Sequence, residues 1–257
     1  MRMLVPREET FCYDGSLEGF LCAVFDAYAL RCRPRRICPA DQVQLALGQE
    51  VRDVATDLAH AERVRAGLVR RGGRRAFDQA ELAFLSDAEG REGALLAFVE
   101  KVMDEGKGAL SDLADPCVAR VGALATEVLN EREHMYQFLR FEELEGGIYY
   151  ARINPRCRVL PLLMGHFVER FNTQPFIIYD EVHRLAGAYD LKGTCLVRVD
   201  GLEVPERTAC EREFQQLWKR FYDSVSNEQR FNPDLRRSFV PQRLWRNLTE
   251  FRALLDS

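Results

Sequence analysis

Phe138-Leu-Arg-Phe-Glu-Glu-Leu144, Glu145-Gly-Gly147 and Ile148-Tyr-Tyr-Ala-Arg-Ile153 decide the fold class. Both outer runs alternate apolar and polar side chains, which is the period of a strand, and the glycine pair between them supplies a turn. The stretch therefore predicts a β-hairpin. Upstream, from about 49 to 137, apolar residues recur every three or four positions instead, the period of helices. Downstream, Leu160, Leu163, Phe167 and Phe171 sit at helical spacing, 176–180 and 185–190 read as two more strands, and 194–199 as another. The expectation is a central antiparallel ββαββ sheet with one crossing helix, between a helical N-terminal region and a helical C-terminal region. That is class α+β.

Working outward, residues 9–14 read as a short strand that ends at Asp14-Gly15-Ser16, a turn whose polar side chains can cap the next helix. That helix is marked by Leu17, Phe20, Leu21, Val24, Phe25 and Tyr28 on one face. Arg33-Pro34-Arg35-Arg36 breaks it, and Ile37-Cys38 begins a small strand. Val51, Val54, Ala55 and Leu58 start a helix that runs to Gly72-Gly73, followed by helices near 77–86, 91–104 and 116–137. After Pro205, Phe214, Leu217, Trp218, Phe221 and Tyr222 form an aromatic helical stripe. A loop at Arg230-Phe-Asn-Pro233 then leads to a last helix from Pro241, where proline suits a first turn. A single compact domain over 1–257 is expected, with room for two lobes, 1–137 mainly helical and 138–257 sheet plus C-terminal helices.

The chain has 257 residues, 47% hydrophobic and 30% charged, enough to bury a core without disulfides or a structural metal. The same fractions exclude a disordered tail or a collagen-like fibre. The net charge of -4 excludes indiscriminate coating of nucleic acid, but it averages unlike segments. Residues 63–75 hold six Arg and no acid, 31–36 hold four Arg, 207–252 carry a net +4, and 78–116 a net -7. Lysine occurs only four times, against 32 arginines, so cationic contacts fall to the bidentate guanidinium. Three basic segments beside an acidic one can assemble a phosphate-binding groove; each alone is an ordinary solvated helix face.

The N-terminus has no apolar run of signal-peptide length and no window approaches a membrane span, so a cytoplasmic location is expected. The eight cysteines then read as thiols; none is paired as CxxC, the series 12, 22, 32, 38 fits known metal sites poorly, and no metal or cofactor is expected.

Phosphate loops, dinucleotide fingerprints, nucleophile elbows and zinc-protease helices are all missing. One loose catalytic pattern remains. Asp180 and Asp190-Leu191-Lys192 on consecutive strands echo the D…(D/E)xK arrangement of metal-dependent nucleases, although an Asp at each end of a hairpin is also common turn chemistry. Tyr13, Asp14, Ser16 and Glu18 gather at a helix start, where capping competes with anion binding and the two carboxylates favour capping. Arg140 and Arg152 lie on hairpin strands among Phe138, Phe141, Tyr149 and Tyr150, either a nucleic-acid surface or simply the wet side of a sheet. Arg230, Asn232 and Arg243 surround a rigid loop, and Trp218 and Trp245 at helical spacing read as core more readily than as stacking platforms.

Tyr13-Asp-Gly-Ser-Leu-Glu-Gly-Phe20, Phe138-Leu-Arg-Phe141, Tyr150-Ala-Arg152, Val159-Leu-Pro-Leu-Leu163, Tyr179-Asp180, Leu217-Trp218, Arg230-Phe-Asn-Pro233 and Pro241-Gln-Arg243-Leu-Trp245 occur in this order. Together they resemble a bacterial family of "probable DNA metabolism proteins", a domain of unknown function encoded beside a radical SAM protein of DNA repair or modification. Some members are fused to a uracil-DNA glycosylase-like domain. The likeness runs from about residue 10 to 250, yet the radical SAM cysteines and a glycosylase water-activating loop are missing. The resemblance implies an accessory protein that binds DNA and acts with the radical SAM partner. With the clustered arginines, DNA would lie along Arg63–Arg75, with Arg70, Arg71, Arg74 and Arg75 foremost, and along Arg230–Arg243, with Tyr13, Arg140 and Arg152 near a shared cleft. A metal-dependent nuclease built on Asp180, Asp190 and Lys192, or a non-catalytic scaffold docking through the acidic 78–116 segment, are the alternatives.

Overall fold

A computed structural model of the chain is α+β, as the change of period at 138 predicts. The structure describes residues 4–43, 50–201, 207–225 and 240–248, and for 218–225 the backbone. It divides into two compact units, Met1–Leu129 and Asn130–Ser257.

The first unit holds more sheet than the two short strands expected at 9–14 and from Ile37. Strands β1 (Val5–Tyr13), β2 (Cys32–Pro39) and β3 (Glu50–Asp53) form a parallel sheet in the order β2-β1-β3. Helix α1 (Leu17–Ala29) is the crossover between the first two. Two expectations are corrected. Arg33-Pro34-Arg35-Arg36 belongs to β2 rather than breaking the chain ahead of it; β2 is an edge strand, where a proline without an N–H is tolerated. Residues 50–53, read as the start of a helix, form β3, and the helix begins only at Leu58. Val51 is exposed, so its periodicity carried no information about a buried face.

Helices α2 (Leu58–Gly72), α3 (Arg74–Phe84), α4 (Arg91–Glu105) and the start of α5 (Pro116–Phe138) follow the expected order. Their apolar faces converge with Phe11, Tyr13, Phe20 and Val24 into one core. Gly73, at φ +84°, both ends α2 and opens α3; a side chain there would be strained, so the tight corner requires glycine. Gly72 is fixed by packing, since a Cβ would stand 2.4 Å from Val102 Cγ1.

The second unit carries β4 (Glu142–Leu144), β5 (Ile148–Ile153), β6 (Phe176–Asp180), β7 (Leu185–Tyr189) and β8 (Thr194–Arg198), hydrogen-bonded in that order. The sheet is mixed rather than antiparallel. β5 and β6 run parallel, with Tyr149 opposite Phe176 and Ile153 opposite Asp180, and the other pairs are antiparallel. The connection between β5 and β6 contains α6 (Leu160–Arg170). A helix of this length returns the chain to the starting edge of the sheet, so the two strands it joins point the same way. Pro161 suits the first turn of α6, where a missing N–H costs nothing. After Arg207 pairs with Leu144, α7 (Ala209–Val225) begins. The last helix expected from Pro241 is a short 3₁₀ segment, Gln242–Asn247.

Candidate nucleic-acid interface

At the N-terminal ends of β5 and β6 the aromatic residues of the second unit gather. Phe141 lies 4.5 Å from Phe171, 5.3 Å from Phe167 and 5.5 Å from Phe176, ring centre to ring centre, and Tyr149 lies 5.9 Å from Phe171. Tilted and edge-on pairs at such spacings add about 0.5–1.5 kcal/mol each beyond the area they bury. Phe167, Phe171 and Phe176 come from α6 and the strand it feeds, so the helical stripe at 160–171 builds this cluster directly. Phe141, Tyr149, Phe167 and Phe171 of this cluster line a cavity of about 650 Å³, with Phe176 buried behind them. Arg140 and Arg170 stand at its lip with Glu143, Glu211 and the exposed ring of Phe214. Arg140 donates to the carbonyls of Gln137 and Leu139 at the end of α5. Glu211 is engaged by Gln215 Nε2 at 2.7 Å and by the Glu143 N–H. Burial, with Glu143 and Glu211 next in effect, pushes the Tyr149 hydroxyl above its ordinary pKa, so it stays a neutral phenol. Arg140, expected on a hairpin strand beside Arg152, lies instead in the link between α5 and β4. Arg170 was not expected, although its place one residue before Phe171 at the end of an apolar stripe put it beside the aromatic face.

The opposite ends of β5 and β6 carry a second polar constellation. Asn154, buried after β5, donates from Nδ2 to Glu181 Oε2 at 2.7 Å. Its Oδ1 accepts from Arg246 Nε at 2.9 Å and from Asn247 Nδ2 at 3.1 Å. Glu181 also holds Arg152 at 2.9 Å and Arg246 at 3.1 Å. Buried Glu131 on α5 takes Arg243 in a two-pronged pair, at 2.8 and 2.5 Å, and accepts the Arg156 N–H at 2.9 Å. These contacts fasten the 3₁₀ segment to the sheet. Arg152 and Arg243 were expected to bind phosphate. Instead both guanidinium groups are committed to carboxylates, and Arg243 is mostly buried by its pair. The indole N–H of Trp245 donates to the Val240 carbonyl, a structural bond within the same segment.

Asp180 and Asp190 are not brought together. Asp180 is fully buried, accepts the N–H groups of Val182 and His183, and meets His183 Nδ1 at 2.5 Å. Asp190 accepts the N–H groups of Lys192 and Gly193 in the turn before β8. In the β6–β7 register Asp180 faces Leu185 while Phe176 faces Tyr189, so the two carboxylates sit at opposite ends of the hairpin. At about 3.4 Å per residue they are separated by roughly 17 Å along the strands, beyond the reach of one Mg²⁺. Each carboxylate closes its own turn. Among the described residues no three His, Cys, Asp or Glu side chains come together as a metal site requires.

In the first unit, Tyr13 is fully buried and its hydroxyl donates to Glu92 Oε1 at 3.0 Å, beside Arg91 Nε at 2.9 Å from the same oxygen. A tyrosine so held cannot stack on a base. Asp14 accepts from the Ser16 N–H at 2.9 Å and from Thr56 Oγ1 at 2.9 Å, while Ser16 Oγ caps α1 through the Gly19 N–H at 2.9 Å. Glu18 is exposed in the first turn of that helix. Capping is what this motif does. The arginines of 63–75 divide by partner. Arg63 lies over Phe25, Arg65 and Arg74 over Phe77, Arg74 also pairs with Asp78 at 2.6 Å, and Arg71 donates to the Met103 and Asp104 carbonyls that end α4. Arg70 and Arg75 are exposed, with no ion-pair partner among the described residues. Arg230 and Asn232 lie outside the described residues, as does the side chain of Trp218.

A family model described as a domain of unknown function, DUF4130, matches residues 89–250, and the chain belongs to that family. The matched region takes in both the aromatic cavity and the Asn154 network. A comparison with curated proteins finds no match. Among the described residues no helix is long and apolar enough to cross a membrane.

Proposed function

We propose that this chain is an accessory protein of DNA repair or modification that binds DNA and works with a radical SAM protein. The observation that carries the DNA half is the aromatic cavity of the second unit with Arg140 and Arg170 at its lip. Nucleic acid is an anionic chain carrying flat rings, and an aromatic floor with guanidinium groups beside it matches both parts of that chemistry. Exposed Arg70 and Arg75 on the first unit add a further cationic surface. The radical SAM partner is what the order of sequence motifs supports. Fluorescence anisotropy with labelled single-stranded and duplex DNA at low salt tests the first half; no retention of either form ends the DNA reading. Co-expression and co-purification with a radical SAM protein of DNA repair or modification from the same genome tests the second half, and two proteins that elute independently end it.

A further inference from the structure

We infer that the aromatic cavity of the second unit seats one unstacked nucleobase of single-stranded DNA, with the neighbouring phosphates on Arg140 and Arg170. This rests on the DNA reading above and adds to it a strand preference and a seat.

Shape argues for a base rather than a duplex. Groove reading needs a helix or ribbon that protrudes into the groove, whereas the site here is concave. Its volume of about 650 Å³ lies within the range of about 300–1,000 Å³ typical of small-ligand sites. A base enters such a site only after leaving its stack, and a single strand has already met most of that cost.

The walls match a base as well. Phe141, Tyr149 and Phe171 are each partly exposed, and Phe214 is 60% exposed across the opening, so aromatic surface remains for a planar ring to cover. Phe141 is tilted by 53° to Phe171, and the other rings around these two meet them tilted or edge-on, so no face-to-face stack covers either ring. Glu143, on the rim, offers a carboxylate acceptor to an exocyclic amino group, and the neutral Tyr149 hydroxyl can both donate and accept. Arg170 ends α6 and is exposed, placing a cation where the helix carbonyls already face outward. A phosphate on Arg170 then leaves the base to face the aromatic floor.

The test uses the full chain and a short single strand carrying one 5-iodocytosine, cross-linked by light and mapped by mass spectrometry, with anisotropy on the same strand. The expected adducts fall on Tyr149, Phe171 or Phe214. Phe214→Ala and Arg170→Glu alter exposed side chains and leave the fold intact; each is expected to weaken single-strand binding at low salt about fivefold or more. Single strand is expected to bind at least tenfold more tightly than the matching duplex. Adducts confined to residues 63–75, or binding unchanged in both variants, overturn the base seat while the DNA reading survives. Equal affinity for duplex and single strand overturns it likewise. No binding of any strand by the wild-type protein removes the DNA reading and the seat with it.

Discussion

Replacing Arg243 by alanine separates two incompatible roles for that residue. As a phosphate contact it would be a surface cation whose removal costs little stability, within about 0.5 kcal/mol. In the structure its guanidinium makes both prongs of a pair with Glu131, at 2.8 and 2.5 Å. The Glu131 side chain is only 5% exposed, and that of Arg243 22%. Truncation leaves Glu131 a buried carboxylate that keeps the Arg156 N–H and the His134 ring at 3.8 Å but loses its permanent charge partner, and such a change typically costs about 3–5 kcal/mol. The partial exposure of Arg243 admits water to the vacated site, so the lower end, about 3 kcal/mol, is expected. Both tryptophans, 218 and 245, belong to the second unit, so their emission during urea unfolding reports that unit. With a slope of about 1.5 kcal/mol per molar, the midpoint should fall by about 2 M. The double variant Glu131→Gln, Arg243→Met keeps an acceptor for Arg156 and removes both charges; it should recover at least half of that stability. A midpoint shift under about 0.3 M for Arg243→Ala, together with weaker DNA binding, would refute the structural role and restore the phosphate-binding one.

Gly19→Ala should destabilise the first unit despite alanine's better helix propensity, because the added Cβ would stand 2.3 Å from Asp14 Oδ1 and displace the group that holds Ser16 and Thr56. A net destabilisation of about 1 kcal/mol in urea unfolding followed by far-ultraviolet dichroism is expected, and a gain contradicts the cap geometry. Burial, then the neighbouring Cys38, pushes the Cys12 thiol up from 9.0 to about 11. The folded protein thus holds this proton more tightly than the unfolded chain, and the associated stability is present below pH 9 and lost between about pH 9 and 11. Cys12→Ala should flatten the decline of the unfolding midpoint across that window, and an unchanged slope counts against it. Reversing charge at Arg70 and Arg75 should weaken DNA binding and reduce its salt slope by about one for each phosphate no longer neutralised. Arg71→Met should leave that slope nearly unchanged and cost about 0.5–1 kcal/mol through the end of α4, which thermal unfolding would register.

What could be read from the sequence follows from how local each signal is. The change of period at 138, the α1 stripe and the Asp14-Gly15-Ser16 cap depend on neighbours within a turn or two, and all three appear in the structure. The direction of β6 was not legible, because alternation is the same in parallel and antiparallel strands; only the length of the connection through α6 betrays it. β3 was hidden because four residues with an exposed Val51 show no period at all. Arginine roles were the least legible. Arg243 meets Glu131, which is 112 positions away, and Arg152 meets Glu181 through the β5–β6 register, so nothing local distinguishes them from Arg170, which is exposed at the cavity. Both aspartates at 180 and 190 looked paired by spacing and are held apart by the hairpin that spaces them.

Asn154 carries a chemical hazard as well as a structural role. Conversion of its carboxamide to a carboxylate would set a new negative charge against Glu181, on the side chain that both Arg246 and Asn247 grip. Asparagine ages to aspartate mainly when the next backbone nitrogen attacks the side-chain carbonyl and closes a five-membered imide. Here the next residue is Pro155, whose ring nitrogen has no hydrogen and cannot close that imide. The proline thus protects the residue that fastens the C-terminal 3₁₀ segment, and the network outlasts what an asparagine before glycine in the same place would allow.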